Sequence, residues 1–174
     1  MKLKIKVKLF SGAVLPEIIN KGEWVDLRCV ETTTLKCPQQ SVTHKSASNK
    51  PVEVEFSSTL IRLGVAMQLP KGFEAHILPR SSTYKNFGII INNSMGIIDN
   101  SYCGNGDEWK FGAIAFSNTK IVKDSRICQF RIELSQKASI LNKIKWLFTS
   151  GIEFIQVESL DGNNRNGFGS TGIK

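Results

Sequence analysis

Apolar and charged residues alternate one by one at the start of the chain. Leu3, Ile5, Val7 and Leu9 share one side, and Lys2, Lys4, Lys6 and Lys8 share the other. A period of two predicts a strand with one solvated face, and lysines commonly guard an exposed edge. Residues 24–30 predict a second short strand. Val52, Val54 and Phe56 alternate again within 51–56, and 60–69 is an extended apolar run closed by the turn Pro70-Lys71-Gly72. Short apolar or β-branched runs recur at 73–78, 87–91, 96–98, 111–116, 127–134 and 152–157. Short strands at such regular intervals predict an all-β fold: a distorted jelly roll, a β-sandwich or a barrel. One stretch departs from the pattern. Within 137–148, Ile140, Ile144, Leu147 and Phe148 fall at helical spacing, and Leu141 and Trp146 widen the stripe. This predicts one short amphipathic helix packed on the sheet.

Two stretches carry no packing period. Residues 31–50 are rich in Thr, Ser, Gln, Lys and Asn around Pro38, which reads as a long loop or surface insertion. Residues 161–172 hold four glycines and three asparagines in twelve positions, which predicts a mobile tail unless something orders it. The organisation expected is a single β domain over 1–160, with insertions at 31–50 and 137–148, followed by a tail over 161–174.

Composition narrows the classes. A chain of 174 residues, 41% apolar and 22% charged, suits one globular domain and excludes a wholly disordered or collagen-like protein. It contains no apolar run of about 18 residues, so no membrane-spanning helix is expected. The alternating N-terminus does not resemble a signal peptide, and a cytoplasmic location is expected. Basic residues outnumber acidic ones by 23 to 15, giving +8. Such a surface attracts anions, so nucleotides, nucleic acid and acidic lipids are all admissible partners. Cys29, Cys37, Cys103 and Cys128 form no C-x-x-C pair, which argues for free thiols rather than zinc. Magnesium stays open, because it needs only one or two carboxylates plus substrate phosphates.

Three polar clusters interrupt the strands. Pro79-Arg80-Ser81-Ser82-Thr83 offers a guanidinium and hydroxyls to an anion, or simply makes a turn or helix cap. Residues 92–102 place Asp99 after two isoleucines and Tyr102 three positions later. That carboxylate suits positioning of a water and that ring suits packing on a sugar or base; the plain alternative is a hairpin turn. In the tail, Gly167-Phe168-Gly169-Ser170-Thr171-Gly172 combines bare backbone, hydroxyls and one ring that suits stacking on a base.

These clusters, in this order, resemble the five motifs of the trimeric dUTPase family, over roughly residues 22–172. The A-G-x-D-L type is similar to Glu23-Trp24-Val25-Asp26-Leu27. R-S-S is Arg80-Ser81-Ser82. G-x-I-D-x-x-Y is met in full by Gly96, Ile98, Asp99 and Tyr102. G-D-R-I-x-Q resembles Asp124-Ser125-Arg126-Ile127-Cys128-Gln129, and G-F-G-S-T-G is met by residues 167–172. The resemblance implies Mg2+-dependent hydrolysis of dUTP to dUMP and pyrophosphate, which lowers dUTP and supplies dUMP for thymidylate synthesis. It implies that Asp99 is catalytic, holding the 3′-hydroxyl and the attacking water. Tyr102 lies under the deoxyribose, and Asn93, Gly96 and Ile98 read uracil. Arg80, Ser81, Ser82 and Gln129 bind the phosphates, and Asp26 holds the metal through water. From the tail, Phe168 stacks on uracil while Gly169, Ser170 and Thr171 close over the substrate. It further implies a homotrimer in which the tail of one chain closes a pocket formed by the others.

The chain departs from the motifs at three places. Glu23-Trp24-Val25 replaces the small residues before Asp26. Asp124-Ser125 replaces glycine and aspartate. Asn163 stands where the family has an arginine four residues before Gly167, so that Arg165 becomes the candidate phosphate ligand. A dCTP deaminase shares the R-S-S region but lacks the Tyr102 pattern. A nucleotide-controlled binding module with a regulatory protein partner is a second alternative, although no motif here indicates one. Nucleic-acid binding by charge alone is a third, and a steep salt dependence would distinguish it. A membrane partner is not expected.

Overall fold

The computed structural model describes residues 1–19, 22–40, 54–56 and 58–167. Among these, the chain runs through β1 (Leu3–Leu9), β2 (Val25–Arg28), β3 (Thr33–Leu35), β4 (Gln39–Gln40), β5 (Val54–Glu55), β6 (Ser58–Arg62), β7 (Val65–Gln68) and β8 (Phe73–Pro79). A one-turn helix α1 (Thr83–Phe87) leads to β9 (Ile89–Ile91), β10 (Gly96–Asp99), β11 (Lys110–Ala115), β12 (Thr119–Ile121) and β13 (Arg126–Leu134). The helix α2 (Ile140–Leu147) and the strand β14 (Ile152–Val157) complete the order. The strands form small sheets ordered β14-β1-β7, β10-β8-β13-β2 and β6-β11-β9, plus the pairs β12-β3 and β4-β5. The all-β architecture expected from the spacing is the one observed.

The alternation in β1 is realised: Leu3, Ile5 and Val7 are fully buried and Lys4 and Lys6 are exposed. The strand is not an edge, however. It pairs in parallel with β14 and antiparallel with β7, so its lysines cover the outer face of a sheet interior. The core closes on aromatic rings: Trp109 meets Phe130 edge to face at 5.2 Å, and Phe154 lies 6.2 Å from Phe130 on the other side. Gly64 breaks 60–69 into β6 and β7. Its φ is +70°, and a Cβ there would sit 2.5 Å from the Ala13 Cβ, so only glycine fits.

The helix expected within 137–148 forms over Ile140–Leu147, and Ser139 and Asn142 build its capping box. Its burial differs from the sequence expectation. Ile140, Leu141, Ile144, Leu147 and Phe148 are exposed, while the side facing the body holds Asn142, whose amide donates to the Lys71 carbonyl at 2.9 Å, and Trp146, 5.5 Å from Phe73. Those two anchors orient the helix, and the apolar stripe turns outward. None of the described helices is long and apolar enough to cross a membrane.

Phe130 is fully buried between two aromatic partners. Phe130→Ala is expected to cost about 3–5 kcal/mol, read as a lower urea midpoint at fixed protein concentration. An unchanged midpoint would refute the core assigned here.

Candidate active site

The runs 89–91 and 96–99 are only four residues apart, yet β9 and β10 do not pair with each other. β9 pairs with β11, and β10 pairs with β8, with Gly96 opposite Ile77 and Asp99 opposite Glu74. Residues 92–95 therefore arch from one sheet to another, with Ser94 at φ +63°. Gly112 permits this: Asn92 donates its backbone N–H to the Gly112 carbonyl at 3.0 Å, and its side-chain amide lies where a Cβ on Gly112 would be.

The arch leaves a pocket of about 400 Å³ between the two sheets. Asn93, Gly96, Ile98 and Tyr102 line it, and Arg165 and Gly167 reach it from the tail. Trp109 also lines it; its Nε1 is buried without a partner among the described residues. The Tyr102 hydroxyl donates to the Glu108 carbonyl at 3.1 Å, which fixes the ring. Burial, reinforced by the Asp107 and Glu108 carboxylates, holds the phenol above its ordinary pKa and keeps it neutral.

Asp99 ends β10, with its carboxylate partly open to solvent. It accepts from the Ser101 N–H at 2.8 Å and hydroxyl at 2.5 Å, and from Arg165 Nη1 at 3.0 and 3.1 Å. Burial acts to raise its pKa, but the Ser101 bonds and the Arg165 charge outweigh it, so the carboxyl sits below its ordinary value. The Arg165 side chain is thus on Asp99.

The remaining motif residues gather elsewhere. Asp26 on β2 accepts from Arg80 Nε at 2.8 Å through one oxygen and from Arg126 Nη1 at 3.0 Å through the other. Gln129 is the register partner of Asp26 and donates to the Pro79 carbonyl at 3.4 Å. Thr83 locks the Arg80 turn: its hydroxyl accepts from the Arg80 N–H at 2.9 Å and donates to the Ile127 carbonyl at 2.8 Å. Ser81 is exposed, and Ser82 caps α1 with no side-chain capping bond. Among the described residues no hydrogen bond joins this group to the arch, and the pocket beside Asp26 shares no lining residue with the arch pocket. Phe168, Gly169, Ser170 and Thr171 lie outside the described residues.

The donor set does not fit a resident metal ion. Both Asp26 oxygens serve guanidinium groups, and no group of three His, Cys, Asp or Glu side chains converges among the described residues. Sequence reasoning also missed Ser101 and Asp107. Serine two residues after an aspartate is a legible local pattern, but besides the nearby Gly104 N–H the donors to Asp107 are tail N–H groups 58 and 59 residues away.

Because Arg165 helps hold the Asp99 pKa down, Arg165→Gln is expected to raise it toward the ordinary carboxylate range, read by carboxyl NMR titration. Asp99 would then lose its charge at a higher pH as the solution is acidified. An unmoved titration would mean that Ser101 alone sets the value.

A dUTPase family model matches residues 44–146. The SPbeta prophage-derived deoxyuridine 5′-triphosphate nucleotidohydrolase of Bacillus subtilis is 44% identical over 174 residues, all of both chains. Solved structures similar in fold include the dUTPase of Streptococcus mutans, at TM-score 0.60 and 17% identity, covering 77% of this chain and 98% of that one. A mutant dUTPase of the Staphylococcus aureus phage phi11, described as coordinating a structural Mg(II) ion, follows at TM-score 0.59 and 16% identity, covering 78% and 94%. With a family model over more than half its length and a full-length relative at this identity, the chain belongs to the dUTPase family.

Proposed function

We propose that the chain hydrolyses dUTP to dUMP and pyrophosphate. The observation that carries this reading is the arch pocket, with Asp99 and the fixed Tyr102 ring beside it in the family's G-x-I-D-x-x-Y spacing. A relative of full length and 44% identity bears the corresponding name.

In this reading uracil enters between the sheets, where backbone groups at Gly96 and Ile98 and the Asn93 amide recognise its edge. Tyr102 packs under the deoxyribose. Its hydroxyl is tied to Glu108, so the ring cannot swing aside to admit a 2′-hydroxyl. Asp99 accepts from the 3′-hydroxyl and orients the water that attacks the triphosphate in line, with pyrophosphate leaving. A carboxylate held below its ordinary pKa is ionised at neutral pH and serves as hydrogen-bond acceptor and orienter more than as a strong base. Arg80, Ser81, Ser82 and Gln129 bind the phosphates, where most of the acceleration comes from positioning and charge stabilisation. Asp26, shared by two guanidiniums, orients them and leaves a net positive charge for the anion. Magnesium belongs to this scheme as a companion of the triphosphate, not as an ion resident in the chain.

The arch and the phosphate group occupy different parts of one chain. A homotrimer, in which the phosphate group of one chain faces the arch of another, would complete the site, and it is part of the proposal.

The test is pyrophosphate release from dUTP, dTTP, dCTP, UTP and dUDP. Release confined to dUTP is expected, with ammonia release from dCTP pointing instead to a deaminase. Asp99→Asn is expected to lower kcat by roughly 10²–10⁴-fold while a non-hydrolysable dUTP analogue still binds. A variant with undiminished kcat would remove Asp99 from the reaction. Tyr102→Ala should admit UTP, so that the ratio of kcat/KM for dUTP over UTP falls at least tenfold; an unchanged ratio would take sugar selection away from this ring.

A further inference from the structure

Behind the arch pocket, four consecutive residues, 62–65, clamp Glu108 and Trp109. They lie where Gly64 divides β6, which pairs with β11, from β7, which pairs with β1. Arg62 Nε donates to Glu108 Oε2 at 2.8 Å, and the Gly64 N–H donates to Glu108 Oε1 at 3.0 Å. The Leu63 N–H donates to the Trp109 carbonyl at 3.1 Å, and the Val65 carbonyl accepts from the Trp109 N–H at 2.8 Å.

The carboxylate is the part of this clamp that a sheet would not supply. Gly64 is buried, and its N–H needs an acceptor inside the protein. Glu108, only 6% exposed, provides it, and Arg62 compensates the charge that is thereby buried. Glu31 reaches the same guanidinium at 3.7 Å and is itself exposed, so it adds little. Neither Glu108 nor Arg62 lines the arch pocket.

The clamp ends on a peptide unit that the pocket uses. A trans peptide points its N–H and C=O in opposite directions. In the unit joining Glu108 to Trp109, the N–H goes to Val65 and the C=O accepts from the Tyr102 hydroxyl at 3.1 Å. The two bonds to the carboxylate hold one end of this unit, and Leu63 holds the other, so the carbonyl keeps one direction. We propose that Glu108 is a positioning residue for sugar selection: its carboxylate, gripped by Arg62 and the Gly64 N–H, fixes the carbonyl that holds the Tyr102 ring. The ring is as steady as the clamp behind it. A looser carbonyl lets the ring withdraw and gives a 2′-hydroxyl room. The inference rests on the proposed hydrolysis of dUTP, with Tyr102 under the deoxyribose.

Selectivity measured in two backgrounds tests it. Glu108→Gln is expected to lower the ratio of kcat/KM for dUTP over UTP by roughly fivefold or more, the worth of one hydrogen bond, chiefly by raising kcat/KM for UTP. Tyr102→Phe keeps the ring and removes the hydroxyl, and it should lower the ratio too. Adding Glu108→Gln to Tyr102→Phe is then expected to change the ratio by less than about twofold further. Equal losses for both nucleotides, with the ratio unchanged, would mean that Glu108 only supports the fold. A full further change in the Tyr102→Phe background would mean that it acts by another route. Either result overturns the proposal. Arg62→Met opens the pair from its more exposed end, should shift the ratio in the same direction, and carries the same test if Glu108→Gln does not fold.

A second measurement needs no substrate. The chain holds two tyrosines and Tyr84 is exposed, so the protected hydroxyl is that of Tyr102. Exchange of its proton with water, followed by NMR, is expected to quicken by roughly fivefold or more in Glu108→Gln. Unchanged exchange would overturn the clamp. If exchange quickens while the wild-type protein is inert toward dUTP, the clamp stands, and the hydrolysis falls together with the sugar role that rests on it.

Discussion

The site depends on a division of hydrogen bonds. β9 and β10 are joined by four residues, which is hairpin distance, yet each finds its partner in a different sheet. Had they paired with each other, their side chains would have closed the space between β8 and β11. Because they part, a slot opens with Ile77 and Ile91 in its walls and Trp109 against it. The bare Gly112 beside Asn92 is the local condition for that parting, and the Trp109–Phe130 contact is the packing that keeps the two sheets in register.

Charge is distributed by the same economy. The chain carries +8, yet the carboxylates around the pocket and the Arg80 turn are not left to that general field. Asp26 lies between Arg80 and Arg126, Asp99 is held by Ser101 and Arg165, Glu108 accepts from Arg62 Nε at 2.8 Å, and Asp107 is satisfied by backbone alone. These partners have different consequences. A guanidinium beside a carboxylate fixes its orientation and leaves the pair able to exchange toward a phosphate or a sugar hydroxyl. Backbone donors fix a path of the chain, since they cannot move without moving the main chain.

What the sequence made legible follows from range. The alternation in β1, the helical spacing in α2 and the ordered motifs around Asp99 are local patterns, and each element formed where its pattern lies. α1 was missed because one helical turn carries no period; its sign is Gly88, which ends it at φ +61°. The outward turn of Ile140, Ile144 and Leu147 was illegible because spacing shows that a stripe exists, not which way it faces. Asn142 and Trp146 decide that through contacts with Lys71 and Phe73, some seventy residues distant. Likewise the pairing of Arg165 with Asp99 spans 66 positions, and no window along the chain contains it.

Arg165 is where these strands of argument meet. Its backbone N–H donates to the Asp107 carboxylate at 3.0 Å, and its guanidinium lies on Asp99 and donates to the Ser101 hydroxyl at 2.9 Å. One residue thus ties a structural carboxylate to a chemical one. The resemblance to the family puts its arginine at Asn163, and this chain carries its guanidinium two residues later.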